Sequence, residues 1–195
     1  MSESAAAKGF DRRLGAILRA YGEVEPRLHE SVWVAPGAAV IGDVEIGPDS
    51  SVFYAAVVRG DIERIRIGAR TNIQDHATLH VSAGGYPALL GDEITVGHRA
   101  VVHGCEVREG ALIGIGAIVL DGAVIGEEAL IAAGAVVTPG TTVPPRTLVV
   151  GTPARTVRVL SRDEIELQRT RTLEYVETAR KHARSLACMR PGSAP

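Results

Sequence analysis

The sequence is poor in aromatic residues, in cysteine and in long apolar runs. Aromatic residues make up 4% of the 195 positions, and the two cysteines are Cys105 and Cys188. Two cysteines cannot form a disulfide framework. The apolar stretches contain glycine and are shorter than the roughly 20 residues that cross a bilayer, and the N-terminal residues lack the order of a secretory signal. We therefore expect a reduced, cytoplasmic protein with no membrane partner.

The sequence also lacks an excess of charge of either sign. Lys and Arg number 21, Asp and Glu number 23, and the formal net charge is -2. Binding to nucleic acid depends on concentrated positive charge opposite the phosphates, and no Lys/Arg-rich run occurs in the chain. The charge balance therefore argues against nucleic acid as a partner and leaves small neutral or anionic ligands open.

Small aliphatic residues and 22 glycines are abundant instead, and they repeat with a period of six. A period of six fits neither a helix nor one long strand, but it is typical of short strands joined by tight corners, three to a triangular coil. The pattern predicts a parallel β-helix with the aliphatic residues inside. Glycine often follows the aliphatic residue, where we expect it to permit corner dihedrals with positive φ. The aliphatic positions are Val34, Val40, Ile46, Val52, Val58, Ile67, Ile73, Leu79, Val107, Ile113, Val119, Ile125, Ile131, Val137, Val143 and Val149.

The repeat and its interruptions divide the chain into four parts. Residues 1–28 are predicted to be an N-terminal arm, and residues 29–160 the β-helix, from which residues 82–92 leave as a loop because they contain no hexad. Residues 161–187 start with a capping box, Ser161 with Glu164, and predict a helix. Residues 188–195 are expected to form a tail. The hexads resemble those of left-handed β-helix proteins, and the expected handedness rests on that resemblance.

Histidines cluster in the middle of the predicted β-helix. Four of the six lie between residues 76 and 103, namely His76, His80, His98 and His103. His80 and His103 directly follow inward residues, so their imidazoles should point away from the interior. His98 lies one position later in its hexad and should project differently. The three need not converge within a single chain.

Several short motifs within this region make the resemblance more specific. They are Arg59-Gly60-Asp61, Thr71-Asn72-Ile73-Gln74-Asp75, Leu79-His80, Gly97-His98 and Val102-His103-Gly104-Cys105. In order and spacing they resemble the γ-class carbonic anhydrase family over residues 30–160.

The resemblance implies a homotrimer with a metal site at each subunit boundary. His80 and His103 would come from one subunit and His98 from its neighbour. Three imidazoles on Zn²⁺ leave a position for water, whose pKa the metal lowers to about 7. The hydroxide formed would attack CO₂ to give bicarbonate. Co and Fe(II) suit three imidazoles as well as zinc does.

Five further residues receive site roles from the same resemblance. Arg59 and Asp61 would form an ion pair at the subunit boundary, the alternative being an exposed pair worth about 0–1 kcal/mol. Gln74 would orient the attacking hydroxide. Asn72 and Asp75 would support the site geometry, although Asn and Asp also occur simply as corner residues.

The sequence departs from the family at the position of the proton relay. The residue after Asp61 is Ile62, and Ser82 to Leu90 contains no Asp or Glu. Fast hydration needs a group with a pKa near the working pH to remove the proton. The remaining candidates are Glu63, His76 and Tyr86, so we expect slow turnover.

Two other classes of function therefore stay open. Hexapeptide-repeat β-helices often bind coenzyme A thioesters, so the protein could be an acyl-CoA thioesterase or an acyltransferase. Alternatively, a metal could only fasten a non-catalytic trimer. Cys105 lies near the predicted ligands, but small free cysteines are commonly buried, and packing is the favoured interpretation.

Overall fold

A computed structural model describes residue 13 and residues 15–188 of the chain. It is a left-handed parallel β-helix of about seven turns with a helix at its C-terminal end. The first twelve residues of the expected arm, residue 14 and residues 189–195 of the expected tail lie outside the described residues.

Most strands are two or three residues long, as the six-residue period requires. They are β1 (Ile17–Arg19), β2 (Arg27–Leu28), β3 (Trp33–Val34), β4 (Ala39–Ile46), β5 (Ser51–Val52), β6 (Val57–Ile67), β7 (Asn72–Ile73), β8 (Thr78–His80), β9 (Ala88–Leu90), β10 (Thr95–Val96), β11 (Val101–His103), β12 (Glu106–Val107), β13 (Leu112–Ile113), β14 (Ile118–Val119), β15 (Val124–Ile125), β16 (Leu130–Ile131), β17 (Val136–Val137), β18 (Thr142–Val143), β19 (Thr147–Val150) and β20 (Arg155–Val159), followed by α1 (Arg162–Cys188).

The aliphatic hexad residues form the core as predicted. Each of the sixteen is at most 4% exposed. They stack in ladders from coil to coil; in one ladder Ile73 pairs with Val96, which pairs with Ile113 and then Ile131. Pairing is parallel throughout the solenoid, and an antiparallel pair, β19 with β20, ends it. Many small branched side chains thus replace the few large rings of an ordinary core.

Gly42, which follows Ile41, has the expected positive φ (77°), but most glycines after the aliphatic residues are needed for a different reason. Gly97 and Gly114 do not have positive φ. A Cβ at Gly114 would lie 2.6 Å from the backbone nitrogen of Ala133, so the close approach of the next coil excludes a side chain there. Positive φ occurs two residues later, at Arg99 and Gly116, where the chain turns the corner. The prediction of positive φ was therefore wrong for these glycines.

Two predicted boundaries look different in the structure. The expected loop, residues 82–92, contains strand β9, which pairs with β6 and β12. Its residues Ala88 and Leu90 are buried in the solenoid, so this part of the segment belongs to the β-helix. In residues 15–28 of the expected arm, β1 and β2 both pair with β4 and extend the sheet.

Helix α1 begins at the predicted capping box and packs against the face formed by β3, β5 and β7. The Glu164 amide donates to Ser161 Oγ at 3.2 Å, and the Ser161 amide donates to Glu164 Oε2 at 2.8 Å. His182 of the helix stacks on Trp33 with a centroid distance of 5.5 Å. Within the described part of the chain, no helix has the length and apolarity to cross a membrane.

Candidate metal centre

Two neighbouring coils position all three predicted metal ligands. Strands β8 and β11 are parallel neighbours, and their last residues, His80 and His103, are direct partners in the register. Each histidine directly follows a buried residue that points inward, so both imidazoles project from the outer face of the sheet. Strand β10 precedes β11, and His98 lies on the corner between them.

The first half-site consists of His80, His103 and the two carboxylates that hold them. His80 Nε2 lies 3.0 Å from Asp61 Oδ1, and His103 Nδ1 lies 2.6 Å from Asp121 Oδ1. The other ring nitrogens, His80 Nδ1 and His103 Nε2, are 3.0 Å apart. Each imidazole therefore has one nitrogen on a carboxylate and one facing the other ring.

This arrangement fits a metal ion. A neutral imidazole has one N–H, and if each carboxylate accepts that N–H, both facing nitrogens carry lone pairs. Two nitrogen lone pairs that face each other at 3.0 Å repel unless a cation, either a proton or a metal ion, lies between them. Two nitrogens bound to one tetrahedral Zn²⁺ at about 2.0–2.1 Å are roughly 3.3 Å apart, close to the separation seen. Carboxylates on the far nitrogens are the usual partners of metal-binding histidines.

Asp61 is held in its charged form. Burial, the largest single influence, raises its pKa, but hydrogen bonds from His80 and Arg59 outweigh it, and the pKa of Asp61 is lower than its ordinary value. The Arg59 guanidinium contacts Asp61 Oδ2 directly. The carboxylate therefore stays ionised at neutral pH and accepts the His80 N–H.

The second half-site lies at the corners that follow β7 and β10. His98 Nδ1 is 2.9 Å from Asp75 Oδ2, which leaves Nε2 as the ring nitrogen without a carboxylate. The His98 side chain is 40% exposed, against 17% for His80 and 24% for His103. All three predicted ligands thus have an acidic partner, and His98 is the one most open to a second molecule.

Gln74 and Asn72 are buried beside the second half-site. Gln74 is 4% exposed and Asn72 is 1% exposed. Gln74 Nε2 donates to Asn72 Oδ1 at 3.1 Å. A carboxamide buried in this way has a fixed orientation, which a surface glutamine lacks.

The structure brings the predicted site residues together as one group of four and two pairs. Arg59, Asp61, His80 and His103 form the group, Asn72 is paired with Gln74, and Asp75 is paired with His98. Across residues 13 and 15–188, no three His, Cys, Asp or Glu side chains of the single chain form a metal-binding group.

Sequence reasoning missed Asp121. It lies 18 residues after His103, which is one coil of three hexads, and this spacing was the available signal. A Cβ on Gly104 would lie 2.4 Å from Asp121 Oδ1, which is the oxygen that contacts His103. A glycine is therefore required for Asp121 to reach His103.

The proton-relay candidates lie in different surroundings. His76 is on a corner with φ of 59° and is exposed. Tyr86, which is 47% exposed, lies over Gly104 and Gly122, next to the first half-site. Glu63 and Ile62 line a cavity of about 260 Å³ that Asp61 also borders.

Cys105 is packed in the core, as favoured from the sequence. It is 2% exposed. Burial raises the pKa of its thiol to about 12, so the thiol is protonated at neutral pH and is a poor metal ligand.

The chain is similar to known proteins over most of its length. A family model of bacterial transferase hexapeptide repeats matches residues 104–139. The "Probable carbonic anhydrase" of Methanocaldococcus jannaschii is 51% identical over 150 residues, which cover 77% of this chain and 94% of that protein. The mitochondrial gamma carbonic anhydrase 2 of Arabidopsis thaliana is 43% identical over 163 residues, 81% of this chain and 59% of the plant protein.

A solved structure has the same fold. The crystal structure of a Bacillus cereus protein, provisionally named an acetyltransferase, superposes with a TM-score of 0.85 at 39% identity and covers 87% of this chain and 98% of its own. Fold and repeats define a hexapeptide-repeat β-helix protein. The relatives define it further: the chain belongs to the γ-class carbonic anhydrase family, a class of lyases.

Proposed function

We propose that the protein catalyses the reversible hydration of CO₂ to bicarbonate at zinc sites shared between the subunits of a homotrimer. The observation that carries the proposal is the pair of facing nitrogens, His80 Nδ1 and His103 Nε2, each on a ring anchored by a carboxylate. The names of the relatives from Methanocaldococcus jannaschii and Arabidopsis thaliana support the reaction. The cytoplasmic location of the protein remains a prediction from its sequence.

The metal would be held by His80 and His103 of one subunit and by His98 of the next. When bound to three imidazoles, zinc lowers the pKa of its water to about 7 and supplies hydroxide at neutral pH. Asp61, Asp121 and Asp75 hold the three imidazoles in the tautomers that offer a lone pair. These carboxylates also offset the positive charge of the ion.

Gln74 would orient the attacking oxygen, and Arg59 would hold Asp61. The Gln74 amide is fixed by Asn72, so it can accept a hydrogen bond at a defined position and direct a lone pair at carbon. The Arg59 guanidinium fixes Asp61, which in turn fixes His80. Correct placement of these groups lowers the barrier without any group having to move during the reaction.

An activity panel tests this proposal. Metal-free protein is reconstituted with Zn, Co or Fe(II), and each form is assayed for CO₂ hydration and for acetyl-CoA hydrolysis. We expect hydration with at least one metal and no thioester turnover. Thioester hydrolysis without hydration would favour the acyl function, which the name of the Bacillus cereus structure suggests. Stoichiometric metal without either activity would favour a purely structural metal.

We expect the protein to be a trimer in solution. Two incomplete half-sites on one chain become complete sites only if identical chains meet, and cyclic symmetry makes every boundary equivalent. Light scattering should give three times the chain mass of 20.5 kDa. A stable monomer at micromolar concentration would contradict the shared site.

Asp121→Asn should weaken metal binding about tenfold or more, because His103 loses a charged partner at 2.6 Å. A competitive chelator titration with zinc measures the change. Asp163→Asn is the matched control, since it removes the same charge from the exposed first turn of α1. Equal affinities for the Asp121→Asn and Asp163→Asn variants would remove Asp121 from the site.

A further inference from the structure

The chain contains only three carboxamide side chains, and all three are buried. Asn72 is 1% exposed, and Gln74 and Gln168 are each 4% exposed. Carboxamides are usually found at the surface. Here Asn72 and Gln74 belong to the proposed site, whereas Gln168 lies in helix α1.

A continuous series of hydrogen bonds joins the Gln74 side chain to helix α1. Gln74 Nε2 donates to Asn72 Oδ1 at 3.1 Å, and Asn72 Nδ2 donates to Thr95 Oγ1 at 2.8 Å. The Thr95 and Thr172 hydroxyls are 2.9 Å apart. Thr172 Oγ1 donates to the backbone carbonyl of Gln168 at 3.0 Å. We call this series the amide relay.

The helix end of the amide relay fixes the direction of every bond in it. A carbonyl cannot donate, so the single hydroxyl proton of Thr172 goes to the Gln168 carbonyl. Thr172 Oγ1 must then accept from Thr95, and Thr95 Oγ1 in turn accepts from the Asn72 amide. Asn72 therefore presents its oxygen to Gln74.

A second contact agrees with this direction. Asn72 Nδ2 also lies 3.4 Å from the carbonyl oxygen of Ile94, which can only accept. The Asn72 amide is thus oriented by two acceptors, Thr95 Oγ1 and Ile94 O. Because the Gln74 amide nitrogen donates a hydrogen bond to Asn72, its Oε1 is the atom that can accept a hydrogen bond from a ligand.

We propose that Thr95 and Thr172 are positioning residues that set the orientation of the Gln74 amide. The C-terminal helix, through one buried hydroxyl, thereby determines that an acceptor faces the attacking oxygen. This inference rests on the proposed function, in which Gln74 orients that oxygen. Neither threonine needs to contact substrate or metal.

Thr172→Val removes the hydroxyl and keeps the shape, so it tests the amide relay directly. We expect kcat/KM for CO₂ hydration to fall about tenfold, because this ratio reports the attack step. In dilute buffer, where proton removal limits turnover, kcat should stay nearly unchanged. A variant that had merely lost folded enzyme would lower both parameters equally.

Two variants control this experiment. Thr172→Ser restores the hydroxyl and should recover most of the lost kcat/KM. Thr178→Val removes a hydroxyl from the same helix, where Thr178 donates to the Glu174 carbonyl at 2.9 Å, and should leave kcat/KM unchanged. Equal losses in the Thr172→Val and Thr178→Val proteins, or no rescue by serine, would overturn the positioning role.

A second readout uses metal-free protein and needs no activity. Labelling glutamine side chains with ¹⁵N gives only two amide signals, from Gln74 and Gln168, and Gln168→Glu assigns them. We expect the Gln74 signal to shift, and its protons to exchange faster, in Thr172→Val but not in Thr178→Val. An unchanged Gln74 signal would refute the amide relay. If the wild-type protein hydrates no CO₂ while the Gln74 signal responds as expected, the proposed function fails and the relay stands.

Discussion

Metal binding should return to about a quarter of the sites when His80→Ala and His98→Ala subunits are coexpressed in equal amounts. Each variant alone should bind no metal, because every site then lacks one imidazole. A boundary is intact when its His80 comes from a His98→Ala subunit and its His98 comes from a His80→Ala subunit. Random assembly gives that combination with a probability of about one half times one half. Metal analysis of the whole trimer population from the coexpression, without separating mixed from unmixed trimers, measures the recovery.

The matched control is a mixture of His80→Ala with His103→Ala. These two ligands are partners in the register of one chain, 3.0 Å apart through their ring nitrogens. Whichever subunit supplies this half-site lacks one of them, so no recovery is expected. Recovery in the control, or full metal in either single variant, would contradict the assignment of ligands to subunits. Light scattering confirms that each mixture still contains trimers.

The period of six predicted the β-helix because one simple rule, an aliphatic residue facing inward at every hexad, operates along most of the chain. All sixteen hexad residues are buried. The same alternation predicted that His80 and His103 face outward, and their carboxylate partners now show how the rings are held. Local periodicity was sufficient for features that repeat.

Features that depend on neighbouring coils or on the helix were not predictable in this way. Asp121 reaches His103 from the next coil through the space left by Gly104. Thr172 contacts Thr95, from which it is separated by 77 positions in the sequence. The packing of the helix on the β-helix brings them together, and the hexad pattern contains no signal for that packing. Glycines such as Gly114 looked like corner residues but serve the close stacking of coils. Such contacts are visible only when the coils are assembled.

The proton leaving the site, rather than the attack on CO₂, should limit turnover. Hydration releases one proton per bicarbonate formed, and Ser82 to Leu90 provides no carboxylate to carry it. We therefore expect kcat to rise with the concentration of an imidazole-type buffer, since the buffer takes over proton removal. By contrast, kcat/KM for CO₂ should hardly change, because it reports the attack step. Stopped-flow assays at constant pH and ionic strength measure both parameters.

A carboxylate placed beside the site should replace the buffer. Ile62 is 52% exposed and lines the same cavity as Asp61 and Glu63, so a side chain there has access to solvent. Ile62→Glu should raise kcat about tenfold in dilute buffer and weaken the buffer dependence, and Ala83→Glu should act in the same direction. Ile62→Gln has nearly the same size but cannot take up a proton, so it should leave kcat low. If the wild-type enzyme is fast and insensitive to buffer, a native group such as Tyr86, which lies over the His103 corner, already carries the proton.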